Sequence, residues 1–280
     1  MRLAIKTSPQ DTTWDAMLAV WRAADDIEVF ESGWTSDHFY PMHSSDRATP
    51  RLEGWITLAA LAQATRRLRL GTLVTGVHYR HPAVLANMAA TLDIISGGRL
   101  ELGLGTGWNE QESAAYGIDL GTPGQRSDRF EEACEVIVGL LTQETTTFAG
   151  NYYQLTNARC EPKPVQKPHP PVCVGGSGER RTLRTAARFA QHWNFVGGTP
   201  AEFARKRDVL HAHCQDIGRD PAEILLSSHV RLPPDGDPGP VVEAAAALGE
   251  LGLDLAIVTL PPPHNPAVLT PLADVLAQLR

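Results

Sequence analysis

Residues 68–109 read LRLGTLVTGVHYRHPAVLANMAATLDIISGGRLELGLGTGWN and predict a parallel βαβ unit. Two short apolar runs, residues 68–75 and 99–105, enclose a segment with helical periodicity that begins at Pro82 and ends at Gly97. A crossover helix of this length returns the chain in the same direction, so the two strands are predicted to be parallel. The residues after the second strand then lie where parallel sheets bind ligands, beyond the carboxyl ends of the strands.

The rest of the chain repeats the strand-then-helix order of this unit. Short apolar runs alternate with segments of helical periodicity. The eight strand candidates are residues 3–6, 27–34, 68–75, 99–105, 171–174, 192–196, 224–232 and 255–260. Eight such units favour a TIM (β/α)₈ barrel over an open doubly wound sheet. The length of 280 residues fits one barrel, since such barrels typically use about 250 residues.

The repeat is interrupted after the fourth strand, where we expect an insertion within about residues 108–171. This segment contains a helix with Ser127 as its expected N-cap, a hairpin around Gly150 and a proline-rich connector. No internal repeat of fixed period and no low-complexity tract marks a second domain. The predicted organisation is a single domain, residues 1–280, with one insertion.

Composition and charge limit the classes of partner. The formal net charge of −7 provides no general basic face, so neither nucleic acid nor a membrane surface is an expected partner. The sequence has no charged-then-apolar leader and no run of about 20 apolar residues, which predicts a cytoplasmic protein. The cysteines lack the spacing of a zinc site and are expected to be reduced, partly buried thiols: Cys134, Cys160, Cys173 and Cys214.

Asp37 and His38 follow the predicted second strand, on the face where barrel enzymes place their sites. A carboxylate beside an imidazole is suited to proton transfer near neutral pH, although an Asp-His dipeptide in a loop is more often structural. His211 and His213 lie inside a predicted helix and point to different faces, so no metal site is expected there.

A glycine-rich turn, residues 175–178 (GGSG), follows an apolar strand and precedes a helical segment. Its backbone N–H groups and the helix dipole predict an anion site, with an ordinary βα turn as the alternative reading. Residues 103–107 (GLGTG) do not complete a GxGxxG fingerprint because Trp108 occupies the last glycine position. The sequence also lacks a GxxxxGK[ST] loop and a GxSxG elbow, which argues against nucleotide-triphosphate hydrolysis and serine hydrolase chemistry.

Five segments in this order resemble the luciferase-like monooxygenase superfamily, most closely its branch that uses the deazaflavin coenzyme F420. These segments are residues 36–39 (SDHF), 70–86 (LGTLVTGVHYRHPAVLA), 92–112 (LDIISGGRLELGLGTGWNEQE), 164–168 (PVQKP) and 174–194 (VGGSGERRTLRTAARFAQHWN). The resemblance covers nearly the whole chain and weakens after Phe195. It implies a TIM barrel with an insertion, usually a homodimer, with the cofactor ring at the carboxyl face of the barrel.

The resemblance also implies roles for individual residues. His38 is expected to donate or accept the proton that accompanies hydride transfer, with Asp37 beside it near the ring. A bulge pressing on the ring, often with a non-proline cis peptide, corresponds to the bond between Leu73 and Val74. The residues that match cofactor-binding positions are Asp37, Leu73, Val74, Thr75, Thr106, Gly107, Gly175, Gly176 and Ser177.

Two departures from the family pattern concern the substrate. Relatives that oxidise sugar phosphates carry a glutamate after the Gly-Thr-Gly and a tryptophan after the Asp-His pair, where this chain has Trp108 and Met42. These differences remove the expected acid, and residues 197–199 carry no basic side chain for a sugar phosphate. With Phe39 and Tyr79 nearby, the expected substrate is a small organic molecule that is apolar or aromatic.

Three functions remain open from the sequence. The preferred one is an F420-dependent oxidoreductase that transfers a hydride between the deazaflavin and an organic substrate. A monooxygenase that uses flavin mononucleotide (FMN) and a separate reductase is the first alternative, because FMN also offers a phosphate and a tricyclic ring. A cofactor-binding protein without efficient catalysis is the second, because the acid described above is missing.

Overall fold

The computed structural model of the protein describes residues 1–42 and 48–279. The strands in the described ranges are β1 (Arg2–Lys6), β2 (Phe30–Asp37), β3 (Arg69–Gly76), β4 (Leu100–Gly105), β5 (Thr146–Ala149), β6 (Gln154–Ala158), β7 (Val172–Gly175), β8 (His192–Phe195), β9 (Leu225–Arg231) and β10 (Leu255–Thr259). All of them except β5 and β6 form a closed barrel in the order β1-β10-β9-β8-β7-β4-β3-β2. Every pairing around the barrel is parallel, which confirms the predicted TIM barrel.

Helices follow the barrel strands along the chain, as the alternation in the sequence predicts. They are α1 (Trp14–Asp25), α2 (Gly54–Ala64), α3 (Pro82–Ile95), α4 (Glu110–Ala115), α5 (Pro123–Thr142), α6 (Thr182–Phe189), α7 (Pro200–Asp216), α8 (Gly239–Gly249) and α9 (Leu269–Leu276). Short 3₁₀ turns lie at Pro221–Glu223, Pro266–Val268 and Ala277–Leu279. Within the described part of the chain, no helix is both long enough and apolar enough to cross a membrane.

The unit that decides the fold is present as predicted. Strands β3 and β4 are parallel neighbours, and α3 connects them with Pro82 as its first residue. The two strands approach so closely that a Cβ on Gly103 would lie 1.8 Å from the carbonyl oxygen of Thr72. Any side chain at Gly103 would therefore collide with the backbone of β3, so glycine is required for this contact.

The segment between β4 and β7 differs in detail from the sequence prediction. Ser127 is not a helix N-cap: α5 begins at Pro123, and Thr122 forms a capping box with Gln125. This reciprocal cap satisfies the first N–H groups one turn earlier, so the hydroxyl of Ser127 instead donates to the carbonyl of Pro123. Strands β5 and β6 form the expected antiparallel hairpin outside the barrel. All four cysteines are free, and each is more deeply buried than the partial burial that the sequence predicts.

A polar network crosses the barrel interior below the ligand-binding end. Nδ1 of His192 on β8 donates to Glu101 on β4 at 2.9 Å, and Nε2 lies 2.6 Å from the hydroxyl of Ser227 on β9. Arg69 donates to the other carboxylate oxygen of Glu101 at 2.8 Å. Burial opposes ionisation, but the contacts with His192 and Arg69 prevail and lower the pKa of Glu101 to about 2. The network thus holds an ionised carboxylate inside the barrel and joins strands from opposite sides.

Candidate active site

A cavity of about 1010 Å³ opens at the carboxyl end of the barrel strands. Residues at or just after the ends of all eight barrel strands line it. The volume lies at the upper end of the range that small-molecule and cofactor sites occupy. Its position follows the general rule for TIM barrels, in which the loops after the strands carry the site.

His38 lines this cavity, and its imidazole contacts a buried carboxylate. Nδ1 of His38 lies 2.6 Å from Oε2 of Glu112, whose side chain is fully buried. The hydroxyl of Tyr79 donates to the same oxygen at 2.5 Å, and the backbone N–H groups of Phe39 and Tyr40 donate to Oε1. Both oxygens of Glu112 therefore have donors, which fixes the imidazole and the loop after β2 in one arrangement.

The charges in this cluster follow from its contacts. Burial opposes ionisation of Glu112, but hydrogen bonds from His38 and Tyr79 outweigh it and lower the pKa of Glu112 to about 2. Burial and the hydrogen bond to Glu112 raise the pKa of Tyr79 well above its ordinary value. Because an ionised carboxylate only accepts hydrogen bonds, a neutral His38 carries its proton on Nδ1. Nε2 is then the nitrogen that can accept a proton from a ligand.

Glu112 is the functional candidate that the sequence analysis missed. It lies on the short helix α4, where Asn109 is the N-cap and its side chain accepts from the N–H of Glu112 at 3.1 Å. The spacing of Asn109 and Glu112 is that of a capping residue and a glutamate three positions later, a pattern that predicts a helix start. Trp108 stands where relatives carry a glutamate, but Glu112 still places an ionised carboxylate 2.6 Å from the His38 imidazole.

Asp37 and His38 do not form the proton-handling pair that their adjacency predicts. The Asp37 carboxylate is buried and receives two hydrogen bonds from Arg80, at 2.6 and 3.1 Å. Arg80 also donates to Glu53 at 2.7 Å. Adjacent residues at a strand end point in different directions, so each side chain meets a different partner. Asp37 is tied to the barrel wall, while His38 and Glu112 form the pair at the cavity.

One wall of the cavity is formed by backbone at the end of β3. The peptide bond between Leu73 and Val74 is cis, at the position that the resemblance indicates. Leu73 and Val74 both line the cavity. The Val74 methyl groups pack against neighbouring glycines: a Cβ on Gly105 or Gly175 would lie 2.6 or 2.8 Å from them. Small residues on β4 and β7 therefore make room for the Val74 side chain.

The glycine-rich turn after β7 only partly matches its prediction. Gly175 and Gly176 line the cavity. The φ angle of Gly176 is 130°, a backbone conformation that residues with a side chain rarely adopt. The helix does not begin directly after the turn, because α6 starts at Thr182. The hydroxyl oxygen of Ser177 is buried without a hydrogen-bond partner. A buried polar atom of this kind is an available contact for a ligand.

The structure brings most of the predicted site residues to one cavity. Those that line it are His38, Met42, Leu73, Val74, Tyr79, Thr106, Gly107, Trp108, Gly175 and Gly176. Asp37 and Ser177 lie outside the lining, as described above. Thr75 is buried with its hydroxyl 2.8 Å from that of Thr72, and Phe39 packs edge-on against Tyr79 with ring centroids 5.1 Å apart. These residues support the wall from behind.

The opposite side of the cavity comes from strands to which the sequence analysis assigned no site residue. Lys6 ends β1, Arg231 ends β9 and Thr259 ends β10, and all three line the cavity. Each is the last residue of its strand, without a local motif around it. Only closure of the barrel brings them together, so no short pattern in the sequence could have grouped them.

A parallel barrel with a ligand-sized cavity, a cis peptide in its wall and a histidine–carboxylate pair defines a class of barrel enzymes with a site at the strand ends. The sequence matches the luciferase-like monooxygenase family over residues 2–249, and the protein belongs to that family. This family is the one that the sequence motifs resemble.

Individual relatives and structures agree with this assignment. An uncharacterized protein of Mycobacterium tuberculosis is 32% identical over 216 residues, which cover 77% of this chain and 72% of the relative. An F420-dependent glucose-6-phosphate dehydrogenase of Kineococcus radiotolerans is 29% identical over 279 residues, or 99% of this chain and 80% of that protein. The fold is similar to that of an F420-dependent secondary alcohol dehydrogenase, with a TM-score of 0.88 and 18% identity, over 100% of this chain and 99% of that one.

Proposed function

We propose that the protein is an oxidoreductase that uses coenzyme F420 and exchanges a hydride with an organic substrate. Family membership and the similarity to the Kineococcus dehydrogenase over nearly the whole chain support this proposal. The observation that carries it is the contact of His38 with Glu112 at the edge of a cavity walled by Val74. A reaction that moves a hydride to or from an oxygen-bearing carbon also needs a group that moves the oxygen's proton, and His38 is placed for that task.

The cavity wall offers contacts that suit a ring with a phosphate-bearing chain. Leu73 and Val74 form the apolar surface on which a ring can rest, and the open backbone of Gly176 suits a polar chain, with Ser177 next to it outside the lining and its hydroxyl without a partner among the described residues. When bound, F420 supplies the ring carbon that donates or accepts the hydride. The residues proposed to hold it are Leu73, Val74, Thr106, Gly107, Gly175, Gly176 and Ser177, with Asp37 and Thr75 supporting the wall.

His38 is proposed as the catalytic acid or base, with Glu112 as its positioning residue. The Glu112 carboxylate accepts a hydrogen bond from Nδ1–H of His38, which leaves Nε2 to take a proton from an alcohol substrate. The imidazolium that forms is stabilised by the adjacent anion. In the reverse direction, the same imidazolium protonates the oxygen of a carbonyl substrate. Tyr79 keeps the carboxylate oriented through its 2.5 Å hydrogen bond.

The side of the cavity near His38 favours an apolar part of the substrate. Met42, Tyr79 and Trp108 line this side, and the Trp108 ring lies edge-on to the His38 imidazole with centroids 5.5 Å apart. Trp108 is about half exposed at the mouth, so it can cover a ligand that enters. Aromatic and thioether side chains contribute contact area without competing for hydrogen bonds.

Titration of the cofactor-free protein tests the assignment of the cofactor. F420 and FMN are added separately, and binding is followed by the change in fluorescence of each ring. Tighter binding of F420 supports the proposal. Tighter binding of FMN would replace it with the two-component monooxygenase.

Turnover tests the catalytic part of the proposal. The F420-loaded protein is supplied with panels of alcohols and of carbonyl compounds, and the absorbance of the deazaflavin is followed. A change of redox state that depends on both substrate and His38 is expected. Binding of F420 without turnover of either panel would instead favour a protein that only holds the cofactor.

A further inference from the structure

Three adjacent strands end in polar residues that lie side by side at the cavity. Lys6 on β1 pairs in register with Thr259 on β10, and Thr259 pairs with Arg231 on β9. All three residues line the cavity. Neighbouring strands in a sheet are about 4.8 Å apart, so Lys6 and Arg231 leave from strands roughly 10 Å apart, with Thr259 between them.

Strand alternation directs these residues into the barrel mouth. Ala4 and Ile257 belong to the apolar cluster inside the barrel, and Lys6 and Thr259 lie two positions further along the same strands. Residues two apart on a strand share a face. On β9, His229 lines the cavity two positions before Arg231. The two cations therefore face the same interior space as the ligand.

Neither cation has an acidic partner in residues 1–42 and 48–279. With the described residues, the side chains of Lys6 and Arg231 make no hydrogen bond or ion pair, whereas Arg69 and Arg80 each pair with a buried carboxylate. Asp11 is the one acid among the described residues that line the cavity, and it is exposed. Burial, the largest cause, and the nearby charges of Arg231 and Arg51 together lower the pKa of Lys6 to about 8. Lys6 is half-buried and Arg231 is exposed at the mouth, so two cations without a described counter-charge are available to an anion that enters the cavity.

We propose that Lys6 and Arg231 bind an oxyanion of the substrate, a carboxylate or a phosphate, and that Thr259 donates a hydrogen bond to the same group. This assignment deepens the proposed function and rests on it. The residues proposed for the cofactor lie on β3, β4 and β7, across the barrel from β1, β9 and β10. An anion held by Lys6 and Arg231 would therefore direct the rest of the substrate toward His38 and the apolar side of the cavity.

The proposal adds one anionic group to the apolar or aromatic substrate that the sequence predicts. That expectation was based on Met42 and Trp108 and on the lack of basic residues at 197–199. The basic residues of this cavity lie instead on β1 and β9. The substrate that fits both sides has an apolar body and one terminal anionic group.

Titration of inorganic phosphate and of acetate into the F420-loaded protein, followed by calorimetry, tests the site without a known substrate. Saturable binding of at least one of these ions is expected. Lys6→Met and Arg231→Met are each expected to weaken it about 10-fold or more, because a charge-assisted contact is lost. Arg22→Met is the matched control, since Arg22 is exposed on α1 and outside the cavity lining, and it should bind the ions as the unaltered protein does.

Separate measurements distinguish the sources of the anion and the failure of each proposal. If the site serves the substrate, Lys6→Met and Arg231→Met bind F420 with an unchanged Kd. The proposal would be overturned if both substitutions raise the Kd for F420 and if loading with F420 abolishes ion binding. The cations would then be assigned to the phosphate of the cofactor. Absence of saturable ion binding would overturn it as well. The same titrations on the cofactor-free protein show whether the anion site stands when F420 binding itself fails.

Discussion

The two halves of the barrel mouth differ in whether their charged side chains are paired. In the half formed by β2, β3, β4 and β7, the buried carboxylates near the cavity are paired: Asp37 with Arg80, and Glu112 with His38. In the half formed by β8, β9, β10 and β1, Lys6 and Arg231 have no counter-charge in the described ranges. Paired charges hold a fixed geometry, whereas unpaired charges attract a ligand. The first half is therefore built for orientation and proton transfer, and the second for recognition.

The largest expected difference between the two halves is in the effects of Glu112→Gln and His38→Ala on turnover and on phosphate binding. Each should lower turnover about 100-fold or more, because loss of a general acid or base costs between about 10² and 10⁴ in rate. Glu112→Gln acts through His38, since a neutral amide neither fixes the Nδ1 proton nor stabilises the imidazolium. Phosphate binding at Lys6 and Arg231 should not change. The measurements are kcat with the best substrate of the panel and phosphate titration by calorimetry.

Glu110→Gln is the matched control, because Glu110 is exposed on the same helix α4. It should retain full turnover. The pH profile separates positioning from structure: the limb that reports His38 should move in Glu112→Gln and stay in place in Glu110→Gln. Equal activity of Glu112→Gln and the unaltered protein would show that the carboxylate only supports the loop after β2.

The predictability of the two halves from sequence differs for a physical reason. The βαβ unit and the glycines of β4 and β7 lie in short motifs, where local sequence specifies local backbone, whereas the cis bond after Leu73 was expected only from the family resemblance. Ser127 was assigned as a cap because its position suits one, but the stronger Thr122–Gln125 capping box starts the helix earlier. Lys6 and Arg231 lie near opposite ends of the chain and meet through barrel closure alone. The contact between His38 and Glu112 likewise depends on the tertiary structure, since Glu112 lies on helix α4, far from His38 in the sequence.

Glu101→Gln tests how strongly the two halves are joined below the mouth. Glu101 on β4 reaches His192 on β8, and contacts with His192 and Arg69 keep its pKa at about 2 against an ordinary value of 4.5. A depressed folded-state pKa stabilises the fold above pH 4.5, and this contribution is lost as pH falls toward 2. The shift corresponds to roughly 3 kcal/mol. Unfolding by urea at a series of pH values should therefore show a smaller loss of stability on acidification in the variant.

The exposed Glu250 provides the control for this measurement, because Glu250→Gln changes the same charge outside the barrel. Its stability should follow the same pH dependence as that of the unaltered protein. If Glu101→Gln also follows it, the interior network does not supply the acid sensitivity, and the halves are joined by strand pairing alone.

A smaller effect, confined to the half formed by β2, β3, β4 and β7, is expected from Gly175→Ala. The added methyl would lie 2.8 Å from a Val74 methyl group, so the Val74 side chain must move from the cavity wall. We expect the Kd for F420 to rise about 10-fold, which corresponds to about 1.4 kcal/mol. Gly124→Ala is the control, because no atom lies within 4 Å of a Cβ there. An unchanged Kd in Gly175→Ala would remove Val74 from the proposed ring-binding wall.

The smallest expected effect comes from Thr259→Val, in the half formed by β8, β9, β10 and β1. The substitution keeps the shape of the side chain and removes one hydroxyl between Lys6 and Arg231, so a single hydrogen bond to the anion is lost. A net hydrogen bond contributes about 1 kcal/mol, which predicts a roughly fivefold weaker affinity for phosphate. Thr147→Val, on the hairpin strand β5 outside the barrel, should have no effect. Unchanged phosphate affinity in Thr259→Val, with a loss in Lys6→Met, would show that the two cations hold the anion without the hydroxyl between them.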